Sequence, residues 1–441
     1  MFVSKRKIPI KTPARRIAAE RCTEIPSGFP YIAHWPCDCP KPFGTSYISW
    51  FCKRKNPSQS QWALCVSLNQ NMVKKIKNKI VYILGAGFSV EAKAPTQEKL
   101  VSEIFRIHNE NPNIFTNRKI EYFKEFLSKT LGIPDELQST IPLEDIFTPL
   151  DSCIVNNMSF RDLSINQLKE KRNLIFELIG KALQHILENS PKKYIDDFGD
   201  YLVNESKKRA NNNYKEKDLV SVISTNWDIL LDNSIYNAIK RINELGVVDY
   251  CCYISSYDKN DETVKPGLEI LGKGGFNVKL LKLHGSLNWP QCPRCHRIYV
   301  KFNQKIAMNP FSDIEKPSCI HCNNNFGELS SHNLNANLIM PTFLKDLSNP
   351  QYKVIWQNAG IELSEAKKIV FIGYSLPQAD FEMRQLLSRM VDNETEIEVV
   401  NWKNPDNPEV YKSLIKGFKQ FFGRGISEFE FGTSEYIKKL I

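Results

Sequence analysis

Three short stretches concentrate the side chains that could do chemistry. Thr225-Asn226-Trp227-Asp228 sets an amide and a carboxylate two residues apart, a pairing able to hold a polar ligand or a water. His284-Gly285-Ser286 puts an imidazole, the side chain that titrates near neutral pH, beside a glycine that leaves backbone room for a ligand. Gly85-Ala86-Gly87-Phe88-Ser89 follows an apolar run and precedes a helical pattern. A strand, a glycine turn and a helix in that order aim free N–H groups and a positive dipole end at a phosphate. Each stretch also has a plainer reading. His284 could be a hydrogen-bonded core histidine, Asn226 and Asp228 helix caps, and the glycine turn the end of an ordinary βα unit. Val90 stands where a third glycine would complete G-x-G-x-x-G, and no Gly-Lys-Ser/Thr follows, which excludes a P-loop.

A fourth group carries the strongest signal. Cys292-Pro-Arg-Cys295 and Cys319-Ile-His-Cys322 are two C-x-x-C pairs separated by 23 residues. Two such loops each present two thiolates and together complete a tetrahedron, the arrangement of a zinc ribbon. His296 and His321 lie beside the ligands, but four cysteines already fill the coordination sphere. A filled sphere has no place for a reacting water, so the zinc is expected to be structural.

The elements that must position these groups are strands. Ile80–Leu84, Leu219–Ser224, Lys279–Leu283, Ile369–Ile372 and Ile397–Val400 are apolar runs of the kind buried on both faces of a parallel sheet. They end in Gly85-Ala86-Gly87, Thr225–Asp228, His284–Ser286, Gly373-Tyr374-Ser375 and Asn401. Open α/β sheets bind ligands at that carboxyl edge, so the five ends are expected to line one nucleotide crevice. Helical periodicity fills 96–129, then 165–187 and 193–208. The expected fold class is α/β: a Rossmann-like parallel sheet with an all-helical insertion at about 140–215 and a zinc ribbon at about 289–328. Leu338–Met340 reads as a further short strand, and 403–441 as a C-terminal tail.

Composition bounds the rest. Of 441 residues, 42% are hydrophobic and 24% charged, ordinary for a globular protein, and no run reaches the ~20 apolar residues of a membrane span. The net charge of +10 suggests nucleic acid until it is located. Residues 1–71 hold eleven Lys/Arg against three Asp/Glu, so the remainder is nearly neutral and a basic DNA-binding face is not supported. That segment is rich in Pro, Trp and Cys without periodicity. It is expected not to fold, with the native product beginning near Met72. Paired cysteine spacing without a secretory signal points to a reducing, cytoplasmic compartment.

Taken together and in order, these motifs resemble the sirtuin (silent information regulator) family, specifically its divergent bacterial branch. Gly85-Ala86-Gly87-Phe88-Ser89 with Pro95 is similar to the family's G-A-G-x-S-x-x-x-G-[IL]-P cofactor loop. Ser224–Asp228 is similar to its T-Q-N-I-D, Leu283-His284-Gly285-Ser286 to its L-H-G-[SN], and Gly373-Tyr374-Ser375-Leu376 to its G-[TS]-S-L. Val399-Val400-Asn401 resembles its final strand and ribose-binding Asn. The resemblance spans 78 to about 402, with the first zinc cysteine eight residues after the histidine. It implies a sirtuin-type sheet and NAD+ as substrate. Gly85, Ala86, Gly87, Ser89, Pro95 and Thr96 would form the cofactor loop, Gly373 and Ser375 would line its opposite side, and Asn401 would bind the adenosine ribose. Asn226, Asp228 and His284 would serve the glycosidic bond.

The departures shape the expected activity. Lys93-Ala94 replaces the loop's Gly and branched residue, and Thr96-Gln97-Glu98 stands where deacylating members have Asp-Phe-Arg. Leu338–Thr342 replaces the V-V-W-F-G-E segment that pairs with an acyl-lysine peptide. The resemblance therefore implies NAD+ hydrolysis to nicotinamide and ADP-ribose, the activity of anti-phage relatives that deplete NAD. A lysine deacylase and a non-catalytic NAD or ADP-ribose sensor are the alternatives. The expected assembly is a homo-oligomer, with a HerA-type ATPase or another defence protein as partner and neither membrane nor nucleic acid bound directly.

Overall fold

The computed structural model describes residues 79–441 except 189, 212–217, 243, 259–263, 266, 303–316, 341, 343, 344, 346 and 348. The expectations for 1–71 and for a start at Met72 lie outside the described residues. Among the described residues, no helix is long and apolar enough to cross a membrane.

Among the described residues nine strands form: β1 (Ile80–Leu84), β2 (Val220–Ser224), β3 (Gly246–Asp249), β4 (Ile254–Ser256), β5 (Phe276–Lys282), β6 (Ile298–Val300), β7 (Lys368–Ile372), β8 (Glu396–Val400) and β9 (Ser427–Phe429). Seven make one sheet in the order β3-β5-β2-β1-β7-β8-β9, every pair parallel. β4 and β6 pair separately. The chain leaves β1 towards β2 and returns to β7 on its other side, so the order of the strands reverses at β1. That is the position at which open parallel sheets hold ligands beyond their carboxyl ends. The α/β parallel-sheet expectation holds.

Helices cover both faces because β1 and β7, at the centre of the sheet, present apolar side chains to each side. Ile83 is in register with Phe371, so Tyr82 points to the other face. Tyr82 stacks edge-on against Phe198 of the helix Lys193–Asn211, whereas Phe371 meets Phe418 of the helix Pro408–Phe422, at centroid distances of 5.2 and 4.9 Å. Between β1 and β2 run α1 (Leu100–Glu110), α2 (Asn117–Glu125), α3 (Leu143–Val155), α4 (Ile165–Leu187) and α5 (Lys193–Asn211). The last of these is a layer of the sheet rather than an appendage. Downstream lie α6 (Leu230–Ile242), α7 (Gly267–Leu271), α8 (Ile320–Phe326), α9 (Pro350–Glu365), α10 (Phe381–Met390), α11 (Pro408–Phe422) and α12 (Thr433–Leu440).

Two segments differ from their sequence reading. Leu338–Met340 is not a strand: Leu338 makes one antiparallel bridge to Gly285, and all three residues are buried. The 403–441 stretch is not a tail, since β9 extends the sheet and Phe418 and Ile437 are fully buried.

Candidate active site

The glycine turn serves the fold first. Gly85 N–H donates to Ile372 O at 3.1 Å and Gly87 N–H to Gly373 O at 2.8 Å. A Cβ on Gly85 would lie 2.6 Å from Gly373 O, and one on Gly373 (φ +60°) would lie 2.2 Å from the Gly87 carbonyl carbon. The turns after β1 and β7 therefore pack backbone against backbone, which only glycine allows. This corrects the expectation for Gly85 and Gly87: their N–H groups are spent on carbonyls of the neighbouring strand's turn and do not point at a diphosphate. Gly373 is their partner rather than an opposite wall.

Ala86 and Ser89 of the same turn do line an open cleft. Ala94, Pro95, Gln97 and Leu100 continue its wall, Leu183 of α4 covers it, and Thr225–Asp228 at the end of β2 face them. Ser89 Oγ donates to Asp228 Oδ2 at 2.9 Å, and Asn226 Nδ2 lies 3.5 Å from Ser89 Oγ. Asp228 Oδ1 accepts from Leu230 N–H at 3.1 Å. It is thus a helix cap and a cleft residue at once. Burial pushes the Asp228 carboxyl up. The nearby Lys282 charge and the bonds from Ser89 and Leu230 pull it back without cancelling the rise. Lys282 is itself buried, ion-paired with Asp232 at 2.9 Å, while Tyr250 donates to the same carboxylate at 2.8 Å.

His284 lies two residues beyond β5, the strand beside β2. Its carbonyl accepts from Ile339 N–H at 2.9 Å, and Ile339 O accepts from Trp227 Nε1 at 3.1 Å, so one residue bridges the two strand ends. The His284 ring is buried and does not line the cleft wall. Its Nε2 lies 3.3 Å from Asp380 Oδ1, which is also 2.9 Å from Lys345 Nζ. Burial alone would push the Asp380 carboxyl up, but His284 and Lys345 outweigh it and hold the group well below the ordinary carboxylate range. Ser375 is exposed, and Thr96 and Asn401 are half-buried outside the cleft lining; Asn401 Oδ1 accepts from Trp402 N–H at 2.9 Å. The cleft thus unites Ala86, Ser89, Pro95, Asn226 and Asp228. Gly85, Gly87, Thr96, Gly373, Ser375, Asn401 and His284 lie outside its wall. Asp380, Lys345 and Leu183 carried no sequence signal of their own, and Gln97 stood out only as a departure from the deacylating members' loop; an aspartate opening a helix reads as a cap.

The Sγ atoms of Cys292, Cys295, Cys319 and Cys322 all lie within 4.8 Å of one another, with Cys292–Cys322 at 3.8 Å and Cys295–Cys319 at 3.7 Å. Sulfurs at the corners of a tetrahedron around zinc sit about 3.8 Å apart, given a Zn–S bond of about 2.3 Å. The donor set fits that metal. His296 and His321 turn to the amides of Gln291 and Asn325 instead. Tyr299 hydroxyl approaches Cys319 Sγ at 3.3 Å, the sort of outer contact that steadies a thiolate.

Fold and site together define a doubly wound α/β protein with a polar cleft at its central strand ends and a four-cysteine module beside it. No family model and no curated protein matches the chain. Among solved structures it is similar to a Sir2 homologue in complex with NAD, at 13% identity over 84% of this chain and 91% of that chain, TM-score 0.37. It is also similar to a mutant Sir2 homologue in complex with ADP-ribose, at 12% over 84% and 94%, TM-score 0.38. A third is Sir2Tm bound to a propionylated peptide, at 13% over 84% and 96%, TM-score 0.33.

Proposed function

We propose that the protein is an NAD+ hydrolase that breaks the nicotinamide–ribose bond and gives the ribosyl cation to water. The observation that carries this reading is the Ser89–Asn226–Asp228 cluster in a cleft at the carboxyl ends of β1 and β2. Cleavage passes through a cationic, oxocarbenium-like transition state. A carboxylate fixed beside it stabilises the developing charge without reorganising. Asp228 is that carboxylate, held by Ser89, and Asn226 orients the ribose or the attacking water. The one proton released, from a ribose hydroxyl or the attacking water, goes to His284. Zinc in the four-cysteine module staples that module to the sheet.

Hydrolysis is favoured over peptide deacylation by Ile339. Both its backbone donor and its backbone acceptor are engaged inside the protein, by His284 and Trp227, so this residue has no free edge for a peptide strand.

The test uses the full chain with NAD+ and no peptide, following nicotinamide and ADP-ribose. Equal release of both is expected, abolished by Asn226→Ala with zinc content unchanged. Release that requires an acylated peptide stoichiometrically would establish the deacylase instead. Saturable NAD+ binding without turnover would leave a sensor.

A further inference from the structure

Asp380 stands at the N-cap of α10, yet its side chain makes no hydrogen bond to that helix's first turn. An aspartate at this position ordinarily satisfies an orphan N–H there. The carboxylate turns into the protein instead. Its Oδ2 accepts from Tyr374 hydroxyl at 2.7 Å, and its Oδ1 faces Lys345 Nζ at 2.9 Å and His284 Nε2 at 3.3 Å. The side chains of His284, Asp380 and Lys345 are 3%, 2% and 0% exposed. Glu382 takes a second contact from Lys345. Among the described residues, both ring nitrogens of His284 and Asp380 Oδ1 are buried without a well-aligned hydrogen bond, so the approach of Nε2 to Oδ1 is an ion-pair contact rather than a hydrogen bond. A buried ring nitrogen without a partner is costly unless something else meets it.

We propose that Asp380 is a positioning residue for His284: facing Nε2, it holds the neutral imidazole in the Nε2–H tautomer and leaves Nδ1 as the lone-pair acceptor. The tautomer follows from the chemistry of the two nitrogens, because an anion beside one of them favours the proton there and leaves the other unprotonated. Lys345 neutralises part of the Asp380 charge and keeps the carboxylate from accepting a proton itself. In the proton step the substrate or water O–H bond breaks and an Nδ1–H bond forms. The imidazolium then carries one positive charge beside the Asp380 carboxylate, and its proton passes to solvent as products leave. The reaction step rests on the hydrolase reading; the tautomer does not.

The deciding experiment is ¹⁵N NMR of the histidine-labelled full chain at neutral pH, with His284 assigned by His284→Gln. A pyridine-type Nδ1 and a pyrrole-type Nε2 are expected. In Asp380→Asn the amide can donate to Nε2, so the two signals should exchange character. Nicotinamide release should then fall about 10⁴-fold in kcat with KM nearly unchanged, the scale on which the same exchange acts in Ser-His-Asp triads. An Nδ1–H tautomer in the unaltered protein overturns the proposal, as does an Asp380→Asn protein with unmoved signals. A protein that never cleaves NAD+ defeats the hydrolase reading, while the wild-type spectrum, needing no folded variant, still decides the role of Asp380.

Discussion

Ser89 Oγ donates to Asp228 Oδ2 across the junction of the loops that leave β1 and β2, and through Oδ1 the same carboxylate caps α6. One side chain therefore ties the glycine turn to the next helix while facing the cleft. Burial, the largest influence on it, raises its proton affinity above that in the unfolded chain. The sign of the pH effect follows. The folded state binds more protons between the two pKa values, so stability present on the acid side is lost as pH rises through the folded value. Asparagine keeps the cap through its one acceptor oxygen and does not titrate. It sets an amide N–H against Ser89 Oγ, where the bond must run the other way. Asp228→Asn should gain stability relative to wild type as pH rises from about 4 to 8, while nicotinamide release falls at least about 10²-fold. Thermal unfolding across that range checks it; a wild type that gains on the variant with rising pH contradicts it.

Gly373 tests the packing of the two turns. A side chain there must adopt φ +60° and place its Cβ 2.2 Å from backbone atoms of Gly87 and Phe88, which cannot rotate aside. The left-handed conformation alone costs about 1–2 kcal/mol. Gly373→Ala should therefore lose at least about 2 kcal/mol in urea unfolding, part conformation and part displaced backbone. Gly417, inside α11 with open space around it, is the control. There alanine should gain up to about 1 kcal/mol.

Much of the sheet was legible because β1 and β7 are nearly unbroken apolar runs and β2, β5 and β8 each carry a buried apolar stretch, a pattern with few other uses. β9 was missed because Ser427-Glu428-Phe429 is a short, polar edge with no burial pattern to betray it. Leu338–Met340 was misread for the opposite reason. It is apolar because Trp227 and His284 clamp it inside, not because it joins a ladder. The cysteine cluster was readable from spacing alone, since both halves of each ligand pair are local. The partners of His284 were not. Asp380 and Lys345 reach it from segments 96 and 61 positions away, and only the fold brings such pairs together.

The cysteine module gives a metal prediction. Cys292, Cys319 and Cys322 have no exposed surface, and among the described residues the buried hydrophobic side chains of their cluster are Tyr299 and Leu334, with Tyr257 and Ile320 partly buried beside them. So small a core cannot hold the ribbon without a cross-link. Cys319→Ser should abolish bound zinc, measured by atomic absorption, and expose the module to limited proteolysis ahead of the sheet. A variant that keeps stoichiometric zinc and resists the protease would show that the cluster is not a metal site.

Glu91 connects the cleft to the far end of the chain. Its Oε1 accepts from Thr433 N–H at 2.8 Å and Ser434 N–H at 3.1 Å, so a residue of the loop after β1 caps α12. Three residues on, Ala94 and Pro95 form part of the cleft wall. Two orphan donors satisfied by one carboxylate, at the positive end of a helix, stabilise by about 0.5–2 kcal/mol. Glu91→Ala should lower the thermal midpoint accordingly and loosen the loop, so KM for NAD+ should rise more than kcat falls. Glu91→Gln keeps an acceptor and should recover most of both. If Glu91→Ala alters neither the midpoint nor KM, α12 does not steady the loop; if only the midpoint moves, the cap holds the helix but leaves the cleft wall indifferent to it.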